Sequence, residues 1–368
     1  MRLACELARD SMALAHPNPR VGAIIVRDGK KIGEGFHVYD KLDHAEIVAL
    51  KQAGPKARGA TLYVTLEPCC TTGRTGPCTK AIIAAGIKRV FVGMEDPNPH
   101  VSGRGIKELK RAGIRVEASW YKTVPKWLNE DFAKWIRTGR PFVTLKSAMT
   151  LDGQIALQPG RRTSLTGSVS QGHVQRLRHA ADAVLTGIGT VLADDPLLTD
   201  RTGEPRRRRL LRAVLDSRLR LPLKSKLVKS AEGDVVVFTR RAPDSQKART
   251  LREAGVEVIQ VSGRKGRVDL NKVLSELGRR QILGVLLEAG AELNGAALEA
   301  GLVDKMVLFY APKIMGTGGV PFARIPAAKW FAKSPPLRNP HMLFSHPDFL
   351  IEGYFHDVYG HHGTRRKH

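Results

Sequence analysis

Short apolar runs bounded by glycine, proline and charged residues recur along the chain, separated by segments whose apolar positions return every three or four residues. The runs predict strands and the segments predict helices. Val21–Val26 and Lys31–His37 read as adjacent strands about the turn Arg27-Asp-Gly-Lys30. A helix is predicted over His44–Ala53, a strand over Thr61–Leu66, and a helix over Thr79–Ala85 closed by Gly86. A strand over Arg89–Gly93, a helix over Gly105–Ala112 closed by Gly113, and a strand over Ile114–Glu117 follow. Charged residues interrupt the apolar positions of Met1–Arg9, which predicts an amphipathic helix and not a signal peptide. Strands alternating with helices predict a mostly parallel sheet covered on both faces.

A linking helix over Val124–Thr138 is broken by Gly139-Arg-Pro141, and a second α/β pattern begins at Phe142–Ala148. Its strands are predicted at Ala183–Thr186, Ala213–Leu215, Val235–Phe238, Val256–Gln260, Ile282–Leu287, Lys305–Ala311 and Phe349–Phe355. Its helices are predicted at Gln171–His179, Gln246–Ala254, Leu270–Leu277 and Leu293–Ala300. The expected domains are residues 1–140 and 141–360, followed by a basic tail, 361–368. A length of 368 residues with 42% apolar content supports two cored domains. No run of about 18 apolar residues occurs, so no membrane span is expected and a cytoplasmic address follows by default.

The formal charge of +25 points to an anionic partner such as a phosphate ester, a nucleotide or nucleic acid. The excess is diffuse. Its densest runs, Arg206–Arg209 and Arg365–His368, read as solvated surface with few aromatics nearby, which disfavours a stacking platform for single strands.

Of four cysteines, Cys69, Cys70 and Cys78 fall within ten positions, which favours metal binding over a disulfide scaffold. Cys5 stands alone on a predicted helix face and reads as a small buried hydrophobe. His44-Ala-Glu46 opens a helix, Pro68-Cys69 follows a strand, and Cys78 opens the next helix. One imidazole and two thiolates are three zinc ligands with a fourth position left for water, the arrangement of a catalytic zinc. Glu46, two residues past a ligand, is placed to carry protons between that water, the ring and leaving ammonia. The zinc-deaminase signature is His-x-Glu with a later Pro-Cys-x-x-Cys. Here the second cysteine does not come at Thr72, and the loop runs on to Cys78. Cys70 competes as a ligand, but neighbours at a helix N-terminus point in different directions, so Cys78 is preferred.

These residues, with His16-Pro-Asn-Pro-Arg-Val-Gly22, Thr65–Cys69 with Gly73-Arg-Thr75, and Asp96-Pro-Asn-Pro99 with Gly103 and Gly105, resemble the bifunctional deaminase/reductases of riboflavin biosynthesis. The resemblance continues through Lys146–Gly153, Val191–Thr199 and Glu288-Ala-Gly290. It implies an α/β chain with a cytidine-deaminase-like three-layer sandwich first and a dihydrofolate-reductase-like domain second. The implied cofactors are zinc and NADPH. The implied partner is a phosphorylated pyrimidine, deaminated first and then reduced from ribosyl to ribityl, with no membrane or nucleic acid. A homo-oligomer is compatible with this reading.

By the same resemblance, Asn18 contacts the pyrimidine, whereas on its own it reads as a turn residue. His16 and His37 read as structural or supporting. Ala148, Ser164, Thr166, Thr190, Asp194, Ser217 and the stretch Gly290, Ala291, Glu292, Leu293, Asn294, Gly295, Ala296 match positions that touch the dinucleotide. Arg162, Arg178, Leu198, Arg201 and Glu288 match positions that touch the ribose phosphate. Gly187-Ile-Gly189-Thr190 follows a strand and opens a helical turn whose N–H groups suit phosphate. Asp195 reads as a cap, and Lys146 is a candidate for protonating the opened sugar. The family's Gly-x-Ser-x-Trp-Ile-Thr run is here Gly160-Arg-Arg162-Thr-Ser164-Leu-Thr166, so an arginine replaces a substrate-touching serine and a serine replaces a tryptophan. An RNA deaminase, which would have the short cysteine spacing and no second domain, fits less well. A zinc-stabilised nucleic-acid-binding protein would want a fourth ligand where Glu46 stands.

Overall fold

The structure, a computed structural model, describes residues 1–118, 123–161, 163–326 and 330–360. It divides into two units. The first is Met1–Gly139 with Pro205–Arg208 and the described residues from Val358, and the second is Arg140–Glu204 with Arg209–Asp357.

In the first unit, α1 (Arg2–Asp10), β1 (Gly22–Arg27) and β2 (Lys30–Phe36) precede α2 (Ala45–Ala53), β3 (Thr61–Leu66) and α3 (Cys78–Ala84). Next come β4 (Arg89–Met94), α4 (Arg104–Arg111), β5 (Arg115–Ala118), α5 (Thr123–Leu128) and α6 (Glu130–Thr138). The sheet order is β2-β1-β3-β4-β5. The β3–β4 and β4–β5 pairs are parallel, but β1 runs antiparallel to both β2 and β3. The expected mostly parallel sheet is therefore mixed. For the β1–β2 pair the cause is local: Asp28 and Gly29, both at positive φ, turn β1 straight back into β2, and strands joined by so tight a turn can only pair antiparallel.

Pleating puts the two helical layers on opposite faces. A Cβ on Gly22 would meet the carbonyl of Ala4 in α1 at 2.0 Å. Gly33 and Gly35 are on the other face of the hairpin, where a Cβ would meet the carbonyls of Ala49 and Ala45 in α2 at 2.3 and 2.5 Å. Ala23, Ile25, Leu62, Val64, Val90 and Val92 form the core with Ala45, Ala49, Ile82 and Leu109 of the covering helices. The predicted single helix over 124–138 is two helices, because Asn129 spends its side chain on the backbone of Arg20, accepting from its N at 2.7 Å and donating to its O at 3.0 Å. Cys5 is buried against Ala8 and Leu128.

In the second unit the strands are β6 (Phe142–Thr150), β7 (Gln154–Ala156), β8 (Ala183–Gly187), β9 (Leu211–Leu215), β10 (Val235–Thr239), β11 (Val256–Gln260), β12 (Gly284–Leu287), β13 (Lys305–Ala311), β14 (Val320–Pro321), β15 (Arg338–Ser345) and β16 (Asp348–Tyr354). The helices are α7 (Ser168–Ala180), α8 (Ile188–Asp194), α9 (Lys226–Lys229), α10 (Gln246–Glu253), α11 (Leu270–Arg279) and α12 (Ala291–Glu299). The main sheet is ordered β11-β10-β9-β8-β12-β6-β13-β16-β15, parallel as far as β13 and antiparallel from there. Strand β10 is buried at every position, as its unbroken apolar run requires for a sheet covered on both faces. Strand β15 lies at the edge with seven exposed residues and an irregularity at Pro340, so neither alternation nor burial announces it in the sequence. The small sheet of β7 and β14 is too short to leave a period.

Candidate functional site

Two sites follow from this architecture, one in each unit. In the first, His44 caps α2, Glu46 lies in its first turn, Cys69 sits in the loop after β3, and Cys78 begins α3. His44 Nδ1 lies 3.2 Å from Cys78 Sγ and 3.4 Å from Cys69 Sγ, and the backbone N of Cys78 donates to Cys69 Sγ at 3.3 Å. The three donor atoms fall within 4.8 Å of one another, the one such metal-type cluster among the described residues. Hydrogen bonding from Cys78, and from His44, holds the Cys69 thiol down to about 4 despite burial. Cys78 is pushed up because Cys69 beside it keeps the charge. His44 is raised by its hydrogen bond to Cys69. Two helix N-termini meeting at thiolates favour the same negative charge. One imidazole and two thiols sharing so small a volume, with no fourth protein donor among the described residues, match an open zinc site. Cys70 is not in the cluster. Its thiol is raised by burial, opposed by Arg104 and helped by Glu108 and Glu67.

Glu46 is 3% exposed, and burial, helped by the Cys69 thiolate, pushes its carboxyl up to about 7. Its place depends on α2 lying directly on β2. Gly35→Ala is expected to push α2 outward and destabilise the unit by about 1–3 kcal/mol, with weaker metal retention, measured by denaturant unfolding and metal analysis.

Two groups that the sequence did not single out complete this end. Glu67 accepts from the backbone N–H groups of Asp96, Gly103 and Ile106, so it ties the loop after β4 to the loop after β3. Asp96 is raised to about 6 by burial and lies within the influence of Cys69. The motif Asp96-Pro-Asn-Pro99 carried this signal but gave no role for the carboxyl. Asn18 Nδ2 lies 3.0 Å from His37 Nε2, while His37 Nδ1 lies 3.0 Å from the carbonyl of Asp43. A carbonyl only accepts, so His37 carries its proton on Nδ1 and accepts from the Asn18 amide at Nε2. His37 is lowered to about 4, chiefly by burial, so this neutral form persists at ordinary pH. The Arg206–Arg209 run is not wholly solvated charge. Arg207 pairs with Asp40 at 2.9 Å, donates to the carbonyl of His16 at 3.2 Å and stacks 4.0 Å over the ring of Tyr39.

In the second unit a cavity of about 730 Å³ opens at the carboxyl ends of β6, β8 and β12, where α/β sheets bind ligands. Of the residues expected there, Ala148, Thr190, Asp194, Gly290, Ala291, Glu292, Leu293, Arg178, Leu198, Arg201 and Glu288 line it, as does Lys146. Glycine backbone from Gly187–Gly189 and Gly290 borders it, leaving N–H groups open to phosphate. A cavity of this size with such loops fits a dinucleotide.

Others, Asp195 excepted since it lines the wall beside Asp194, lie outside it. Ser217 Oγ accepts from the N of Val268 at 3.0 Å. Asn294 is buried and donates to the carbonyls of Ala289 and Phe322, so it secures the loop from behind. Gly295 backs onto the carbonyl of Arg324, where a Cβ would come to 2.1 Å. Ala296, Thr166 and the exposed Ser164 are not in the cavity wall, and Arg162 lies outside the described residues. Asp195 caps across chain, accepting from the N of Lys226 at 2.8 Å. The wall also contains Arg161, Lys226 and Arg324, which sequence reasoning missed because nothing local marks them.

At the centre, Arg178 makes a two-pronged pair with Glu288 at 2.7 and 3.0 Å, and Lys146 Nζ stands 3.8 Å from Glu288 Oε2. Burial would raise Glu288, but Lys146 and Arg178 outweigh it and hold it low. Lys146 is lowered by burial, with Glu288 opposing and Arg178 reinforcing.

Comparison with known proteins adds two family matches. Residues 1–94 match the cytidine and deoxycytidylate deaminase zinc-binding region, and residues 141–334 match the RibD C-terminal domain. The riboflavin biosynthesis protein RibD of Aquifex aeolicus is 43% identical over 318 residues, covering 86% of this chain and 87% of that protein. RibD of Escherichia coli is 39% identical, covering 95% of this chain and 97% of that one. Among solved structures, RibD of Acinetobacter baumannii superposes with a TM-score of 0.85 at 37% identity, covering 97% of this chain and 98% of that one. The Thermotoga maritima diaminohydroxyphosphoribosylaminopyrimidine deaminase/5-amino-6-(5-phosphoribosylamino)uracil reductase does so with a TM-score of 0.83 at 36% identity, covering 96% and 97%. No helix among the described residues is long and apolar enough to cross a membrane.

Proposed function

The chain belongs to the bifunctional RibD family of riboflavin biosynthesis, a zinc-dependent deaminase joined to an NADPH-dependent reductase, and from that premise we propose how its residues divide the work. The substrate is 2,5-diamino-6-ribosylamino-4(3H)-pyrimidinone 5′-phosphate, which loses its 2-amino group as ammonia. Its ribosyl chain is then reduced to give 5-amino-6-(5-phosphoribitylamino)uracil. The observation that carries this reading is the buried Glu46 beside the three-donor cluster in one unit, with a charged, glycine-rimmed cavity in the other.

Zinc, when bound by His44, Cys69 and Cys78, supplies the Lewis acidity that makes water nucleophilic near neutral pH. Glu46 carries both protons of the attacking water in turn, the first to the ring nitrogen and the second to the departing amino group, so a C–O bond replaces a C–N bond and ammonia leaves. Asn18 orients the pyrimidine by hydrogen bonds. In the second unit NADPH, when bound, supplies hydride to the sugar carbon. Lys146 delivers the proton to the opening sugar oxygen, and Arg178 and Arg201 hold the phosphate end. We assign the positive charge to phosphate esters and not to nucleic acid. Two thiols that must stay unpaired to hold the metal, Cys69 and Cys78, suit a reducing compartment, the cytoplasm.

The purified protein is expected to hold about one zinc per chain. Cys78→Ser should lose most of that metal and the release of ammonia, yet keep NADPH oxidation on deaminated substrate. Metal analysis beside both assays checks this. Full zinc retention by the variant would remove Cys78 from the ligand set.

A further inference from the structure

Residues 95–140, between the two matched regions, belong to neither family match. Within them, Asp131 stands in the first turn of α6 and is 7% exposed. Its Oδ1 accepts from Arg20 Nη1 at 2.9 Å and its Oδ2 from Arg20 Nη2 at 2.8 Å, and His16 Nε2 lies 3.2 Å from Oδ2. One buried carboxylate thus grips both ends of Pro17-Asn18-Pro19. The same short stretch holds Arg20 twice more. Arg20 Nη1 donates to the carbonyl of Leu128 at 2.6 Å, and the Asn129 amide brackets the Arg20 backbone at 2.7 and 3.0 Å.

Arg207 also holds the carbonyl of His16, at 3.2 Å. Both prolines lack an N–H, and the N of Asn18 reaches only the carbonyl of Ala15, at 3.0 Å. At the loop's apex the Asn18 amide N–H meets His37 Nε2, which turns Asn18 Oδ1 away from His37. His37 in turn stands edge-on to His44, ring centres 5.1 Å apart. The Asp131 carboxyl stays ionised. Burial favours the neutral form, but Arg20 and His16 outweigh it and hold the group well below the usual carboxylate range.

We propose that Asp131 is a positioning residue for deamination: through Arg20 and His16 it holds the Pro17-Asn18-Pro19 loop so that Asn18 presents its amide to the pyrimidine. The connector between the two matched regions is then a working part of the deaminase site and not a spacer. This rests on the reading of Asn18 as a pyrimidine contact. Asp131 itself touches no reacting atom.

The test is a set of double-mutant cycles in the full chain. Arg20→Lys, Asp131→Asn and Asn18→Ala are made singly, and each clamp variant is combined with Asn18→Ala. Arg20→Lys keeps the buried cation but loses the two-pronged geometry, so it carries the test if Asp131→Asn does not fold. Zinc content reports on the first unit and NADPH oxidation of deaminated substrate on the second. Each single variant is expected to raise the KM for ammonia release about five- to tenfold, the loss of about one hydrogen bond, with kcat changed less than twofold. The double variants should be no worse than Asn18→Ala alone, because groups that act through one another are not additive. A clamp variant whose effect multiplies in full with that of Asn18→Ala, or that leaves KM unchanged while Asn18→Ala raises it, overturns the proposal. A silent Asn18→Ala instead overturns the reading of Asn18, and the proposal falls with it.

Discussion

Glu46→Gln is expected to cut ammonia release by about 10⁴-fold, the upper end of what a positioned acid–base group contributes, while zinc stays bound. The substitution keeps shape and a hydrogen-bonding oxygen, so α2 and the three donors need not move. What disappears is a carboxylate able to take a proton, in a pocket dry enough to push that carboxyl up to about 7. NADPH oxidation on deaminated substrate should be unchanged, since its groups lie in the other unit. Survival of ammonia release in the variant would remove Glu46 from the chemistry.

Stability should move the opposite way. The folded-state value of Glu46 is raised from 4.5 to about 7, so the folded metal-free protein binds a proton more tightly than the unfolded chain does. That contribution is fully present below pH about 4.5 and is lost as pH rises through about 7. Glutamine never ionises. The metal-free variant should therefore exceed the parent in stability by up to about 3 kcal/mol above neutral pH, with the difference vanishing in acid. Denaturant unfolding of chelated protein at pH 4.5 and pH 8 measures it. A site that gains stability when its working group is removed carries strain for function.

How much of this was legible in the sequence follows from distance along the chain. His44, Glu46, Cys69 and Cys78 come together because each stands at the start of a helix or just past a strand, positions that local patterning marks. The unbroken apolar run of β10 and the turn at Asp28-Gly29 were equally local, though the antiparallel placing of β1 between β2 and β3 was not. The grip of Asp131 on Arg20 spans 111 positions and leaves no period or motif. Tertiary packing also reassigns individual residues inside a recognised stretch. From Gly290 to Leu293 the chain faces the cavity, but at the next position Asn294 points to the carbonyls behind it, because successive helix positions rotate by about 100°. A motif names the stretch, and only the helix phase says which of its side chains reach the ligand. Arg207 shows the converse, since four arginines in a row read as solvent-facing until Asp40 and Tyr39 are placed beside one of them.

The second large effect is expected in the reductase cavity, where Glu288→Gln should lower NADPH oxidation by about 10²-fold or more and shift its alkaline limit to lower pH. Glu288 is the shared counter-charge of Arg178 and Lys146. Burial, with Arg178 nearby, already lowers Lys146 below an ordinary lysine, and Glu288 is what opposes that fall. With glutamine in its place the opposition vanishes, the ammonium becomes easier to discharge, and the protonated donor is lost at a lower pH than in the parent. Arg178 loses its two-pronged partner at the same time and is left a buried cation, so the second unit should also weaken, by about 3–5 kcal/mol if Lys146 stays charged and by less once it discharges. Ammonia release should continue, which separates this outcome from general unfolding. The measurement is NADPH absorbance on deaminated substrate between pH 6 and pH 10, with Lys146→Met as the companion variant. Lys146→Met should lose the rate at every pH and show no alkaline limit at all. If the limit stays where the parent has it when Glu288 is changed, Lys146 is not the proton donor, and the pair serves only to hold Arg178 toward the phosphate.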